Sequence, residues 1–126
     1  MPEPTPPKKK IMVVDDEPLV CEAVKMLLEF EGHDVCMAGN AAEALALFEQ
    51  ARFDVVITDY KMPGMTGDEL ALEVKARRPG QPVIMLTAHA EMLKTKTVPL
   101  SGVDHLVSKP FQLADLRAAI QMATAR

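Results

Sequence analysis

The sequence predicts an α/β fold: a doubly wound parallel sheet of five strands with helices on both faces. Five short strand-like runs alternate with five stretches of helical periodicity within about 115 residues. The runs at 11–14, 55–57 and 83–86 are apolar at every position, the pattern of strands covered on both faces and not of half-exposed ones. Right-handed crossovers between parallel strands then put helices on both sides of the sheet. A chain of 126 residues has the length of one such domain and can bury roughly two-thirds of its surface.

The elements follow in order. Ile11-Met12-Val13-Val14 is the first strand, ended by Asp15-Asp16. From Glu17 to Phe30 the apolar positions Val20, Val24, Leu27 and Leu28 recur at helical spacing, Pro18 suits a first turn, and Gly32 stops the helix. His33–Ala38 is the second strand. Asn40 is the expected N-cap of a helix over Ala41–Ala51, with Glu43 in capping-box position. Phe53–Thr58 is the third strand and ends at Asp59. A turn with Pro63, Gly64 and Gly67 leads into a helix over Asp68–Arg78, broken by Pro79-Gly80. Val83–Leu86 is the fourth strand, ending at Thr87. Glu91–Val98 reads as a weaker fourth helix, since threonines lower its propensity and Pro99 ends it. Val103–Val107 is the fifth strand, ending at Ser108-Lys109-Pro110, and Leu113–Ala123 is the final helix. Residues 1–9, with four prolines and Lys8-Lys9, are expected to form a flexible, solvated arm ahead of a folded domain over 10–126.

Composition narrows the function classes. The chain is 48% hydrophobic and 25% charged, with a net charge of -4, which supplies no electrostatic reason to bind nucleic acid or an anionic membrane. No apolar run approaches the roughly 20 residues of a membrane helix, and no apolar segment follows the N-terminal lysines as a secretory signal would require. The expected compartment is the cytoplasm. Cys21 and Cys36 are too few for a disulfide framework and read as small core residues. His33, His89 and His105 have no ligand spacing; His33 reads as a turn residue beside Gly32, and Asp54 as a solvated turn.

Ligands of doubly wound sheets sit at the carboxyl ends of the strands. There the sequence places Asp15 and Asp16, Asp59, Thr87 and Lys109, although 94 positions separate Asp15 from Lys109. Clustered carboxylates repel and call for a compensating cation. Ligands that are all oxygen select a hard ion, and Mg²⁺ suits one or two carboxylates plus waters best. Thr87 offers a hydroxyl and Lys109 a point charge to a phosphoryl group bound beside the metal. Together these groups describe phosphoryl transfer to an aspartate. Taken singly, each has a plainer reading: Asp15 or Asp16 as a cap of the first helix, Thr87 as turn chemistry. All five on one edge are much harder to explain as capping.

Four motifs, VVDDEP at 13–18, ITDYKMPGMTG at 57–67, MLTAH at 85–89 and LVSKPF at 106–111, resemble the receiver domain of two-component response regulators, the CheY-like superfamily. The resemblance covers about residues 10–124 and implies a flavodoxin-like strand order of 2-1-3-4-5. It implies Asp59 as phosphoacceptor, with Mg²⁺ held by the Asp16 and Asp59 carboxylates, the Lys61 backbone carbonyl and, through a water, Asp15. Lys109 and Thr87 would contact phosphoryl oxygens, and the bond before Pro110 would be cis. Leu106 stands where the family often has a Tyr or Phe switch residue coupled to Thr87. Lys61 and His89 fall at the variable positions flanking the phosphoryl pocket.

The expected function is a signalling switch: Asp59 accepts a phosphoryl group from the phosphohistidine of a sensor histidine kinase or phosphotransfer protein. The phosphorylated domain then engages a downstream protein through the face of the fourth helix, fifth strand and final helix. Homodimerisation stays open, as does whether the chain works alone or as a module of a longer one. The alternative is a Mg²⁺-dependent phosphohydrolase with an aspartyl-phosphate intermediate. Such enzymes generally carry an acid two residues after the nucleophile, where this sequence has Lys61. A flavin or nucleotide module is disfavoured because no Gly-rich loop follows the first strand.

Overall fold

The computed structural model describes residues 8–88 and 102–125. Within them lie strands β1 (Lys10–Val14), β2 (Asp34–Ala38), β3 (Val55–Thr58), β4 (Val83–Thr87) and β5 (His105–Ser108). The helices are α1 (Pro18–Phe30), α2 (Ala41–Gln50), α3 (Gly67–Arg77) and α4 (Leu113–Thr124). All neighbouring strands pair in parallel, in the order β2-β1-β3-β4-β5. This is the expected doubly wound sheet, with element ends shifted by one or two residues. The helix expected at Glu91–Val98 lies outside the described residues.

Alternation along the central strands divides the core between the two faces. Ile11, Val13, Ile57 and Ile84 pack with Cys21, Val24 and Leu28 of α1 and Leu116 and Ile120 of α4. Met12, Val14 and Val56 pack with Ala41, Ala44 and Phe48 of α2 and Leu70, Ala71 and Val74 of α3. Asn40 caps α2 as expected, its Oδ1 accepting from Glu43 N–H at 2.8 Å. The Glu43 carboxylate reaches one residue further back than a capping box, accepting from Gly39 N–H at 2.7 Å. Helix α3 starts one residue earlier than the sequence suggests, because Thr66 is its cap and Glu69 Oε1 accepts from Thr66 N–H at 3.0 Å.

His33 does follow the turn at Gly32, its N–H donating to Leu28 O at 3.1 Å, but it is more than a turn residue. It is buried, and its Nδ1 accepts from Lys9 N–H at 3.1 Å, tying the entrance of β1 to that of β2. Asp54 is exposed as expected, yet its carboxylate accepts from Lys10 N–H at 2.7 Å and closes the other side of the same entrance. Burial holds the His33 imidazole below its ordinary value, against the pull of Glu31 toward the charged form. The unfolded chain therefore takes up a proton near pH 6.5, and the native one only at lower pH. Between those two values the unfolded state binds more protons, so stability should fall as the solution is acidified. Urea unfolding at about pH 7.5 and 5.5 should show this loss, and His33→Gln should reduce it.

Candidate functional site

The ladder runs past the strand ends and fixes the residues that follow them. Asp15 N–H donates to Ala38 O at 3.1 Å, Asp59 N–H to Val14 O at 2.9 Å, and Lys109 N–H to Thr87 O at 2.9 Å. The carboxyl edge thereby gathers residues far apart in the chain. Asp15, Asp16 and Asp59 each present a carboxylate oxygen, all within 4.8 Å of one another. Asp15 and Asp59 are buried and Asp16 is exposed.

Asp15 does not cap α1, whose N-cap is Glu17, but it closes the turn that leads into that helix. Its Oδ1 accepts from Glu17 N–H at 2.9 Å at the entry to α1, and its Oδ2 accepts from Lys109 Nζ at 3.0 Å. Asp59 Oδ1 accepts from Tyr60 N–H at 2.7 Å, while its Oδ2 stands 3.5 Å from the same ammonium. A groove of about 540 Å³ opens on the cluster, lined by Asp16, Glu17, Asp59, Lys61, Ala88 and Lys109 among others. Thr87 is fully buried at the end of β4, and its neighbour Ala88 is the residue lining the groove.

The two ends of the Lys109 contacts are not equivalent. Burial works against the Lys109 charge, but the hydrogen bond and charge of Asp15, then Asp59, overcome it and hold the ammonium above its ordinary value. Asp59 is pushed up, chiefly by burial and secondarily by Asp15; Lys109 and Tyr60 N–H only partly offset this. Lys109 is nearer to Asp15, and Asp59 is the buried carboxylate short of positive charge. Three carboxylates with no nitrogen or sulfur among them fit a hard divalent cation.

Leu106 is half-buried on β5, in register with Met85, and borders a second groove with Met122. The Lys109–Pro110 bond is cis, as the resemblance implies. His89 lies outside the described residues. Two supports of the site were not singled out in the sequence. Met62 is buried in the α2–α3 core and anchors the loop after Asp59. Gly67 lies against the Asp59 backbone, where an added Cβ would stand 2.0 Å from Asp59 O.

Comparison with known proteins decides the family. The response regulator receiver domain model matches residues 11–121. The chain belongs to that family. Among relatives of this receiver domain, TcrX of Mycobacterium tuberculosis, a probable transcriptional regulatory protein, is 35% identical over 84% of this chain and 45% of its own length. The DNA-binding response regulator MtrA of Mycolicibacterium smegmatis is 33% identical over 90% of this chain and 50% of its own. The chain thus spans about half the length of the curated relatives it matches. The response regulator TrrA of Thermotoga maritima, solved in complex with Mg²⁺–BeF, superposes with a TM-score of 0.83 at 34% identity, covering 91% of this chain and 98% of that one. No helix among the described residues is long and apolar enough to cross a membrane.

The charge balance of the receiver domain yields a stability prediction. Because the native Asp59 carboxyl is raised above its unfolded value, the native state binds more protons in that window and its stability falls as pH rises through it. Asp59→Asn removes the penalty. The metal-free variant should melt a few degrees above wild type at neutral pH by differential scanning calorimetry. An unchanged or lower melting temperature would show that Lys109 already compensates Asp59 in full.

Proposed function

We propose that this receiver domain is a phosphoacceptor switch that takes its phosphoryl group on Asp59. The observation that supports the choice of Asp59 is its environment. It is a buried carboxylate on an open groove, with Lys109 at 3.5 Å and too little positive charge around it. A raised carboxyl pKa marks a group whose anion is poorly stabilised and whose oxygen is correspondingly more basic. The Asp59 oxygen attacks phosphorus of a phosphohistidine, and the P–N bond breaks. The electron pair goes to the imidazole nitrogen, which takes a proton from solvent. The product is an acyl phosphate on Asp59 and a neutral histidine on the donor.

Lys109 supplies charge to the transferring phosphoryl oxygens from its place between Asp15 and Asp59, and the Thr87 hydroxyl, fully buried at the end of β4, would have to turn into the groove to add a donor. Asp16 and Asp59, the Lys61 carbonyl and, through water, Asp15 would hold Mg²⁺, which neutralises phosphoryl oxygens when bound. The proposed donor is a sensor histidine kinase or phosphotransfer protein, and the proposed output is a protein contact at the face around β5 and α4. Residues 10–126 are the proposed receiver unit, at work in the cytoplasm; residues 1–7 of the expected 1–9 arm lie outside the described residues, and Lys9 is tied to His33 and Asp34 and so belongs to the folded unit. No activity on an external substrate and no direct nucleic-acid contact is proposed for this segment.

Incubation with acetyl phosphate and Mg²⁺ should add one phosphoryl group by intact mass. Asp59→Asn and chelation by EDTA should each abolish the addition, and equal labelling of the Asn variant would overturn the assignment. A second outcome concerns the product's lifetime. Lys61 is exposed on the groove rim, and an acyl phosphate brings close to two negative charges toward it. Lys61→Ala should therefore speed dephosphorylation, read as loss of the added mass with time after the donor is removed.

A further inference from the structure

Gly67 opens α3, yet its backbone angles are ordinary: among the described residues the glycines with positive φ are Gly32, Gly64 and Gly102. Conformational freedom is therefore not the reason for a glycine at 67. Space is. A Cβ built there would lie 2.0 Å from Asp59 O, 2.9 Å from Asp59 C and 3.1 Å from Tyr60 Cα, all backbone atoms of the segment that carries the Asp59 carboxylate. Thr58 Oγ1, fully buried, donates to the same Asp59 carbonyl at 2.9 Å. Gly67 N–H donates to Tyr60 O at 2.8 Å and closes the loop onto the helix start.

We infer that Gly67 is a positioning residue for phosphoryl acceptance: its bare Cα and the Thr58 hydroxyl clamp the Asp59 peptide and set where the carboxylate points. The inference rests on the reading of Asp59 as phosphoacceptor. Helix α3 cannot retreat freely, since Leu70, Ala71 and Val74 are buried in the core and Glu69 holds the Thr66 N–H. An ordinary C···O approach is about 3.3 Å or more, so a methyl group at 67 demands a relative displacement of more than about 1 Å. The Asp59 peptide, just beyond the last residue of β3, must take up part of it. Misplacing a reacting group by that distance slows reaction on the order of 100-fold.

The test compares wild type, Gly67→Ala and Thr58→Val as 126-residue chains, with acetyl phosphate at saturating Mg²⁺. Circular dichroism and melting curves fix the folded fraction, and rates are expressed per folded molecule. Positioning predicts that the limiting phosphorylation rate of Gly67→Ala falls by about 10- to 100-fold, while the donor concentration giving half the limiting rate barely moves. Thr58→Val, which adds no bulk, should show a smaller loss of the same kind. A purely structural glycine would lower the melting temperature and leave the rate per folded molecule at the wild-type value, which would overturn the inference. If Gly67→Ala does not fold, Thr58→Val decides: a slower limiting rate supports the clamp, an unchanged one overturns it. A wild-type chain that accepts no phosphoryl group overturns the phosphoacceptor reading itself, and the inference with it.

Discussion

The carboxyl edge of this sheet depends on one ammonium group. Two carboxylates about 4 Å apart repel by about 4 kcal/mol at an effective dielectric of 20. Asp15 and Asp59 are both buried and both belong to one cluster of oxygens within 4.8 Å. Lys109 Nζ stands 3.0 Å from one and 3.5 Å from the other. Each contact is an attraction of about 5 kcal/mol on the same gross scale, before the desolvation of all three groups is set against it. Two attractions against one repulsion make the metal-free edge tolerable. They do not treat the two acids alike.

That ammonium is only as well placed as the strand that carries it. Lys109 follows β5, and its N–H donates to Thr87 O, one step beyond the Thr87–Ser108 pair of the β4–β5 ladder. Asp59 is fixed by the same device against Val14 O, one step beyond the Val14–Thr58 pair. Asp59 and Lys109 are thus each the first residue beyond a parallel ladder that contains a strand buried at every position, β3 for Asp59 and β4 for Lys109. A slip of one residue would turn every core side chain to the opposite face. Register in the core is therefore what aims the charges at the edge.

Much of this was legible in the sequence, for identifiable reasons. Short apolar runs such as Ile11–Val14 and Val83–Leu86, each followed by polar residues, gave strands and their carboxyl ends together. Parallel order then required Asp15, Asp16, Asp59 and Lys109 to converge. What escaped were features set by tertiary approach. The exception is local: Thr66 and Glu69 spell a capping box in the sequence, masked there by the turn residues Pro63, Gly64 and Gly67 beside them. His33 looked like a turn residue because nothing local shows that Lys9 will lie against it. Gly67 read simply as one residue of the turn, since its real constraint, the Asp59 carbonyl, exists only once α3 docks. Likewise Arg78 ends α3 in sequence, while its Nη2 donates to Phe48 O and Ala51 O at the end of α2, a contact between helices that no local pattern contains.

The three carboxylates are chemically alike, and only their surroundings divide the work among them. Asp15 is buried and satisfied: one oxygen closes the turn into α1, the other holds Lys109. Asp16 is exposed on the groove, where water screens its charge and a solute can reach it without breaking a contact of the fold. Asp59 combines burial with access, since it lines the groove yet, among the described residues, accepts from one backbone N–H and has a more distant share of the lysine. A carboxylate in that position gains most from whatever adds positive charge nearby, or from a reaction that removes its own charge at the oxygen. Phosphorylation of that oxygen, which makes a mixed anhydride, would do the latter. In the proposed switch it would also move negative charge outward onto phosphoryl oxygens, toward the Lys109 ammonium that Asp15 engages. The imbalance that weakens the resting edge is therefore the same one that makes a charge-changing reaction at Asp59 a structural event.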